Sequence, residues 1–182
     1  MSSFYDDLER RSEDERQDEL SKELPKLIRL AKTKTAHYRE SLSSIDPSAI
    51  SSPEKLASLP VLRKSGLIQK PDQPLAVESV LPNDLSEIHH IFQSPGPIFE
   101  VGMRKKDWWR FGRALVPVGI GNGDIIQNCF SYHFTPAGMM FETAAAAVGA
   151  TVVPAGIGQT ELQAQAVASL KVTAYAGTPD YL

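Results

Sequence analysis

The sequence predicts an α/β fold: a parallel-sheet βαβαβ core preceded by an N-terminal helical segment. Two observations carry that prediction. From residue 124 onward, strand and helix candidates alternate: strand 124–130, helix 136–148, strand 151–154, helix 160–170, strand 172–176. Alternation at this spacing implies parallel strands joined by right-handed crossovers. The second observation is charge. Residues 1–40 hold 19 charged side chains, whereas residues 111–182 hold six: Arg113, Asp124, Glu142, Glu161, Lys171 and Asp180. The near-continuous apolar strands and the run Ala144–Ala147 fit a sheet covered on both faces.

The N-terminal elements follow from capping signals. Ser12 to Glu15 has the S-x-x-E form of a capping box, which predicts a helix starting near residue 13. Leu20, Leu24, Leu27, Ile28 and Ala31 form one apolar stripe at helical spacing. Pro25 inside it either kinks one long helix or opens a second. A short helix is predicted over residues 53–58, capped by Ser52. Residues 60–87 carry four prolines and little periodicity, and read as an irregular connector. The expected organisation is a helical lead-in and connector over residues 1–87 and an α/β subdomain over 88–182.

Within that second part, residues 88–92 form a strand candidate, followed by the turn-rich Gln93-Ser94-Pro95-Gly96-Pro97. Its place after a strand suits a loop at the carboxyl edge of a sheet, where ligands bind in open α/β folds. A phosphate cradle needs free N–H groups, and two prolines remove two donors, so the residues themselves favour a stiff turn. Residues 106–116 read as a helix with Asp107 near its start. Gly119-x-Gly-x-Gly123 precedes a strand instead of following one, so it predicts a helix-to-strand turn and not a dinucleotide loop. Thr160 is the expected cap of the helix at 160–170.

Composition bounds the function. The chain has 182 residues, a net charge of −3 and a pI near 5.8, which argues against a dedicated nucleic-acid binder. One cysteine, Cys129, excludes an internal disulfide and a cysteine-cluster metal site. There is no run of 18 apolar residues, so no membrane helix is expected. The acidic start is wrong for a secretory signal, and a cytoplasmic location is expected. His89 and His90 are adjacent, so on a strand they face opposite ways and cannot make a one-faced metal pair. Trp108 and Trp109 read as packing residues. His133 lies beyond a strand's carboxyl end, flanked by Tyr132 and Phe134, and is a pocket candidate. The loops 156–161 and 177–179 emerge on the same edge if the strands are parallel.

Several segments together resemble the N-terminal part of the phenylacetate-CoA ligase-like family, within the adenylate-forming superfamily. They are Tyr5-Asp-Asp-Leu-Glu9, Leu59-Pro-Val-Leu-Arg-Lys64 and the aromatic segment from Asn128 to Gly138. Gly149-Ala-Thr-Val-Val-Pro154, Gly156-Ile-Gly-Gln-Thr-Glu161 and Ala176-Gly-Thr-Pro-Asp-Tyr-Leu182 complete the set, in the family's order. The resemblance implies adenylation of a carboxylic acid by ATP with Mg²⁺, then displacement of AMP by the CoA thiol. It implies that Tyr132, His133, Phe134, Thr135, Gly138, Gly177, Thr178 and Pro179 bind an aryl or acyl acid.

Two departures accompany the likeness. The family's phosphate loop reads roughly SSGTTGKP, and the matching place here is Gln93, Ser94, Pro95 and Gly96, without the paired threonines or the lysine. The family's later nucleotide motifs and lid lysine have no counterpart, so no catalytic residue is assigned. The chain is expected to be inactive alone, to bind no cofactor tightly, and to self-associate or need a C-terminal portion. The rival is a non-catalytic α/β binding or assembly module.

Overall fold

The computed structural model describes residues 4–67 and 85–181. Its contacts divide the chain into two compact units. One combines residues 1–10 with 102–182, and the other spans residues 11–101.

In the unit of residues 11–101, helix α1 (Glu13–Lys34) opens with the expected capping box. The Ser12 hydroxyl accepts from the Glu15 amide, and the Glu15 carboxylate accepts from the Ser12 amide at 2.7 Å. Pro25 lies within α1, which continues through it as one helix. Helix α2 (Ala36–Ser41) follows, capped by the Thr35 hydroxyl. The short α3 (Pro53–Leu56) is capped by Ser52 as the sequence predicts. Ile28, Leu42 and Ile50 are buried together, with Tyr38, Ile45 and Leu59 packed against them.

Strands β1 (Ile88–Ser94) and β2 (Ile98–Met103) form a separate two-stranded sheet. Three residues join them, so they run antiparallel. This corrects two expectations. Gln93 and Ser94 belong to β1, and β1 is not a further strand of the parallel sheet. Along β1, Ile88 and Phe92 are buried, His90 is half-buried and His89 is exposed, but the two imidazole rings tilt together with their centroids 4.1 Å apart, so adjacency on the strand does not separate them. Most of the connector expected over 60–87 lies outside the described residues.

In the other unit, the helix expected over 106–116 shrinks to α4 (Gly112–Leu115). The cause is Asp107, whose buried carboxylate accepts from the Phe111 and Gly112 amides at 2.9 and 3.0 Å. Asp107 and Arg110 take left-handed conformations, which no α-helix interior tolerates. Gly119–Gly123 then leads into β3 as a turn. The parallel sheet comprises β3 (Ile125–Asn128), β4 (Thr151–Val153) and β5 (Ala174–Ala176), in the order β4-β3-β5. Ile125 pairs with Thr151, and Ile126 with Ala174, both ladders parallel. The strands are shorter than the sequence suggests: β3 loses residues at both ends, β4 at its carboxyl end and β5 at its amino end.

Helix α5 (Ala137–Val148) covers one face of this sheet. Leu115, Ile126, Ala144, Ala145 and Ala176 form its buried core. Alanine allows close approach of helix to strand, which explains Ala144 and Ala145, whereas Ala146 is exposed and Ala147 half-buried. Helix α6 (Thr160–Leu170) buries only Gln163. Its cap also differs from expectation: Gln159, in a left-handed conformation, occupies the position assigned to Thr160 and makes no side-chain cap. The N-terminal residues 4–10 are tied to α4 by charge. Arg113 reaches Asp6 at 2.5 Å and Glu9 at 3.2 Å, and lies over the Tyr5 ring. None of the described helices is long and apolar enough to cross a membrane.

Candidate functional site

Parallel strands place the loops after β3, β4 and β5 on one edge. The structure brings all three together. A cavity of about 150 Å³ is lined by Cys129, Phe130 and Ser131 after β3, Ile157 after β4, and Tyr175, Thr178 and Tyr181 at and after β5. Its walls are aromatic and apolar with a few hydroxyls, the usual make-up of a small-ligand site.

The segment after β3 is organised by Asn128, which is completely buried. Its Nδ2 donates to the Tyr132 hydroxyl and to the Gly138 carbonyl, both at 2.8 Å, and its Oδ1 accepts from the Phe130 amide. Burial, and secondarily the Glu142 carboxylate, pushes the Tyr132 phenol up to about 12. Tyr132 thus stays a neutral hydroxyl over the physiological range. The Gly138 amide donates to the Ser131 carbonyl at 3.0 Å, so α5 starts hard against this loop.

The sequence-predicted residues divide. Thr178 lines the cavity, and its carbonyl accepts from the Tyr175 hydroxyl at 3.1 Å. Gly177 precedes it, and Pro179 starts a short 3-10 turn ending at Tyr181. Tyr132 and Gly138 form the support just described. His133 and Phe134 do not line this cavity. Phe134 is 76% exposed and left-handed, and Thr135 donates to the His133 carbonyl at 2.6 Å. The chain has already turned there, so the alternation of an extended segment does not apply. Of the cavity's lining, Cys129, Phe130, Ser131, Ile157, Tyr175 and Tyr181 were missed. The signal for them was available: each lies within or next to a loop at the carboxyl end of a parallel strand.

Gln93–Gly96 presents no phosphate cradle. The Ser94 hydroxyl donates to the Glu100 carboxylate at 3.0 Å, and Pro95 and Pro97 offer no N–H. The residues present therefore do not fit a triphosphate grip at this place. Among the described residues, no group of three or more His, Cys, Asp and Glu side chains could hold a metal ion.

A larger cavity, about 520 Å³, opens at the opposite, amino edge, lined in part by Tyr5, Lys106, Ile120, Asn122 and Val148. The carboxyl end of α5 faces it, and helix carbonyls disfavour an anion there.

No family model matches the chain. It is 26% identical over 164 residues to a phenylacetate-coenzyme A ligase of Thermus thermophilus, covering 87% of this chain and 36% of that protein. It is 26% identical over 181 residues to the enzyme of the same name from Aromatoleum evansii, covering 96% and 41%. The fold matches 2-hydroxyisobutyryl-CoA ligase in the postadenylation state with 2-HIB-AMP, at a TM-score of 0.81 and 22% identity, over 93% of this chain and 38% of that one. The same ligase in its thioesterification state, with 2-HIB-AMP and CoA, matches at 0.79 and 23%. The chain thus spans well under half the length of these relatives. By sequence the chain resembles phenylacetate-coenzyme A ligases over most of its own length, and its fold is that of a part of 2-hydroxyisobutyryl-CoA ligase.

Proposed function

We propose that this chain supplies the acid-binding wall of an ATP-dependent aryl- or acyl-CoA ligase, as its N-terminal portion. The observation that carries the reading is the convergence of three strand-end loops on one aromatic cavity. Phe130, Ile157, Tyr175 and Tyr181 would contact the acyl or aryl body of the acid, where aromatic rings give large contact area. Ser131 and Thr178 would offer hydroxyls. Tyr132, Thr135, Gly138, Gly177 and Pro179 would shape the wall from behind, and His133 and Phe134 would face whatever lies outside the cavity. The full reaction would join the acid to AMP with loss of pyrophosphate, then pass the acyl group to the CoA sulfur with loss of AMP. ATP, Mg²⁺ and CoA would be gripped by other parts of the ligase, and a cytoplasmic setting would supply them.

The cavity's lone cysteine makes the test direct. Burial pushes the Cys129 thiol up, so it reacts slowly at neutral pH. Phenylacetate is expected to slow its labelling by a small thiol reagent further. Labelling unchanged at saturating phenylacetate would overturn the acid-pocket reading.

The Ser94–Glu100 pairing and the two prolines favour a second reading, a binding module without nucleotide chemistry. The isolated chain is expected to catalyse no ATP–pyrophosphate exchange with any aryl or aliphatic acid. The charge that builds on a reacting phosphate needs preorganised donors, which this segment does not present. Exchange above that of a heat-treated control would show that the phosphates are gripped after all. Acid protection of Cys129 without exchange is expected of either reading in the isolated chain. The two separate when the chain is joined to a complementary ligase portion, where only the first predicts exchange.

A further inference from the structure

We propose that Gln163 is a positioning residue: its buried carboxamide sets the shape of the carboxyl-edge cavity by holding the loop after β4 against the end of β3. The inference rests on the acid-pocket reading for its functional meaning, and on geometry for its structural part.

Gln163 is the one residue of α6 that is buried, while the helix's larger apolar side chains, Leu162, Val167 and Leu170, are exposed. All four hydrogen-bonding positions of its carboxamide are used. Oε1 accepts from the Cys129 thiol at 2.9 Å and from Gln127 Nε2 at 3.3 Å. Nε2 donates to the Gly156 carbonyl at 3.1 Å and the Gly158 carbonyl at 2.7 Å. One side chain therefore touches the end of β3 with its acceptor and the β4–α6 loop with its donors. The distribution also fixes which end of the amide is oxygen, because carbonyls can only accept.

The loop needs such a hold. Gly156, Gly158 and Gln159 all have left-handed backbones, with φ of 65°, 80° and 51°. Between them Ile157 is exposed at 66% and lines the cavity, so packing alone does not fix it. The Gly158 carbonyl also accepts from the Tyr181 hydroxyl at 3.0 Å, and the Gly156 amide donates to the Asn128 carbonyl at 2.9 Å. Through Gln163, the loops after β3, β4 and β5 share one network of hydrogen bonds. Ile157, Cys129 and Tyr181, all members of the cavity wall, are its visible ends.

A space-filling role and a positioning role separate by charge and pH. Gln163→Leu keeps the volume and removes every donor. Gln163→Glu keeps the shape and can donate only when protonated. A carboxylate buried against two carbonyl oxygens is disfavoured, so the introduced acid's pKa is raised. Its protonated form restores one donor as pH falls below that value, and the charged form above it repels the loop.

The measurement is labelling of Cys129 in the full chain, without ligand and with phenylacetate, each variant compared with the wild type at the same pH. Gln163→Leu is expected to label faster by about tenfold, as the loss of one to two net hydrogen bonds to the loop allows. Phenylacetate should lose its protective effect with it. Gln163→Glu is expected to label like the leucine variant at about pH 8 and to approach the wild type at about pH 6. A folded leucine variant with wild-type labelling overturns the proposal. If that variant does not fold, the glutamate variant decides, and labelling that does not follow pH overturns it. Wild-type labelling indifferent to phenylacetate would instead sink the acid-pocket reading, while the ligand-free rates would still judge Gln163.

Discussion

Replacing Asn128 with leucine is expected to destabilise the parallel-sheet unit by about 3–4 kcal/mol. The volume is nearly kept, so the loss comes from polar groups. Asn128 is fully buried, and its removal strands the Phe130 amide and leaves the Gly138 carbonyl with only its partner inside α5. Each stranded group costs about 1–3 kcal/mol. The Tyr132 hydroxyl loses a donor as well. For a chain of this length the thermal midpoint should fall by about 10 °C. Circular dichroism on heating reads the shift directly. A variant that melts together with the wild type would show that the asparagine's bonds are replaceable by water.

The second large effect is expected at Gly138, the second residue of α5. In an isolated helix, alanine there would gain about 1 kcal/mol over glycine. Here a Cβ would stand 2.8 Å from the Ser131 carbonyl oxygen and 2.9 Å from the Tyr132 ring. Neither is the loose end of a flexible side chain: one is backbone, and the ring is pinned by Asn128. Gly138→Ala should therefore destabilise by about 1–3 kcal/mol, the usual cost of overfilling a tight contact. It should also disturb the cavity wall, since Ser131 must move. The check is a denaturation midpoint together with Cys129 labelling. An unchanged or raised midpoint would mean that α5 can slide away without loss.

Where local chemistry and tertiary packing agree, the sequence reads well. The Ser12 capping box, the Ser52 cap, the continuous helix at 160–170 and the parallel sense of the last three strands were all legible from spacing and punctuation. Where a single side chain overrides periodicity, it reads badly. Residues 106–116 have helical spacing, but the Asp107 carboxylate takes the amides that a helix would use. Strand β2 escaped notice because its six residues carry no clear alternation and follow a proline turn. The cavity's position was legible from topology, but its lining was not. Phe134 looked like a wall residue because it follows a strand, and the left-handed turn at that residue sends it to solvent. Gln163 offered a faint signal. A glutamine on α6 and another, Gln127, in β3 need polar partners wherever they are buried. They do pair, and Gln127 Oε1 is the one buried side-chain atom among the described residues left without a partner.

The strand order β4-β3-β5 also governs the timing of synthesis. The central strand leaves the ribosome first, and both of its neighbours come later. Ala176, the last residue of the β5 ladder, pairs with Asn128. At about 5–20 residues per second, the roughly 48 residues between them take roughly 2–10 s to appear. For that interval a newborn β3 has at least one bare edge, because the Ala-rich α5 covers a face of the sheet and not an edge. A cell making this protein must shelter that edge for seconds, and a pause in translation after α5 would lengthen the exposure more than a pause anywhere in the first hundred residues.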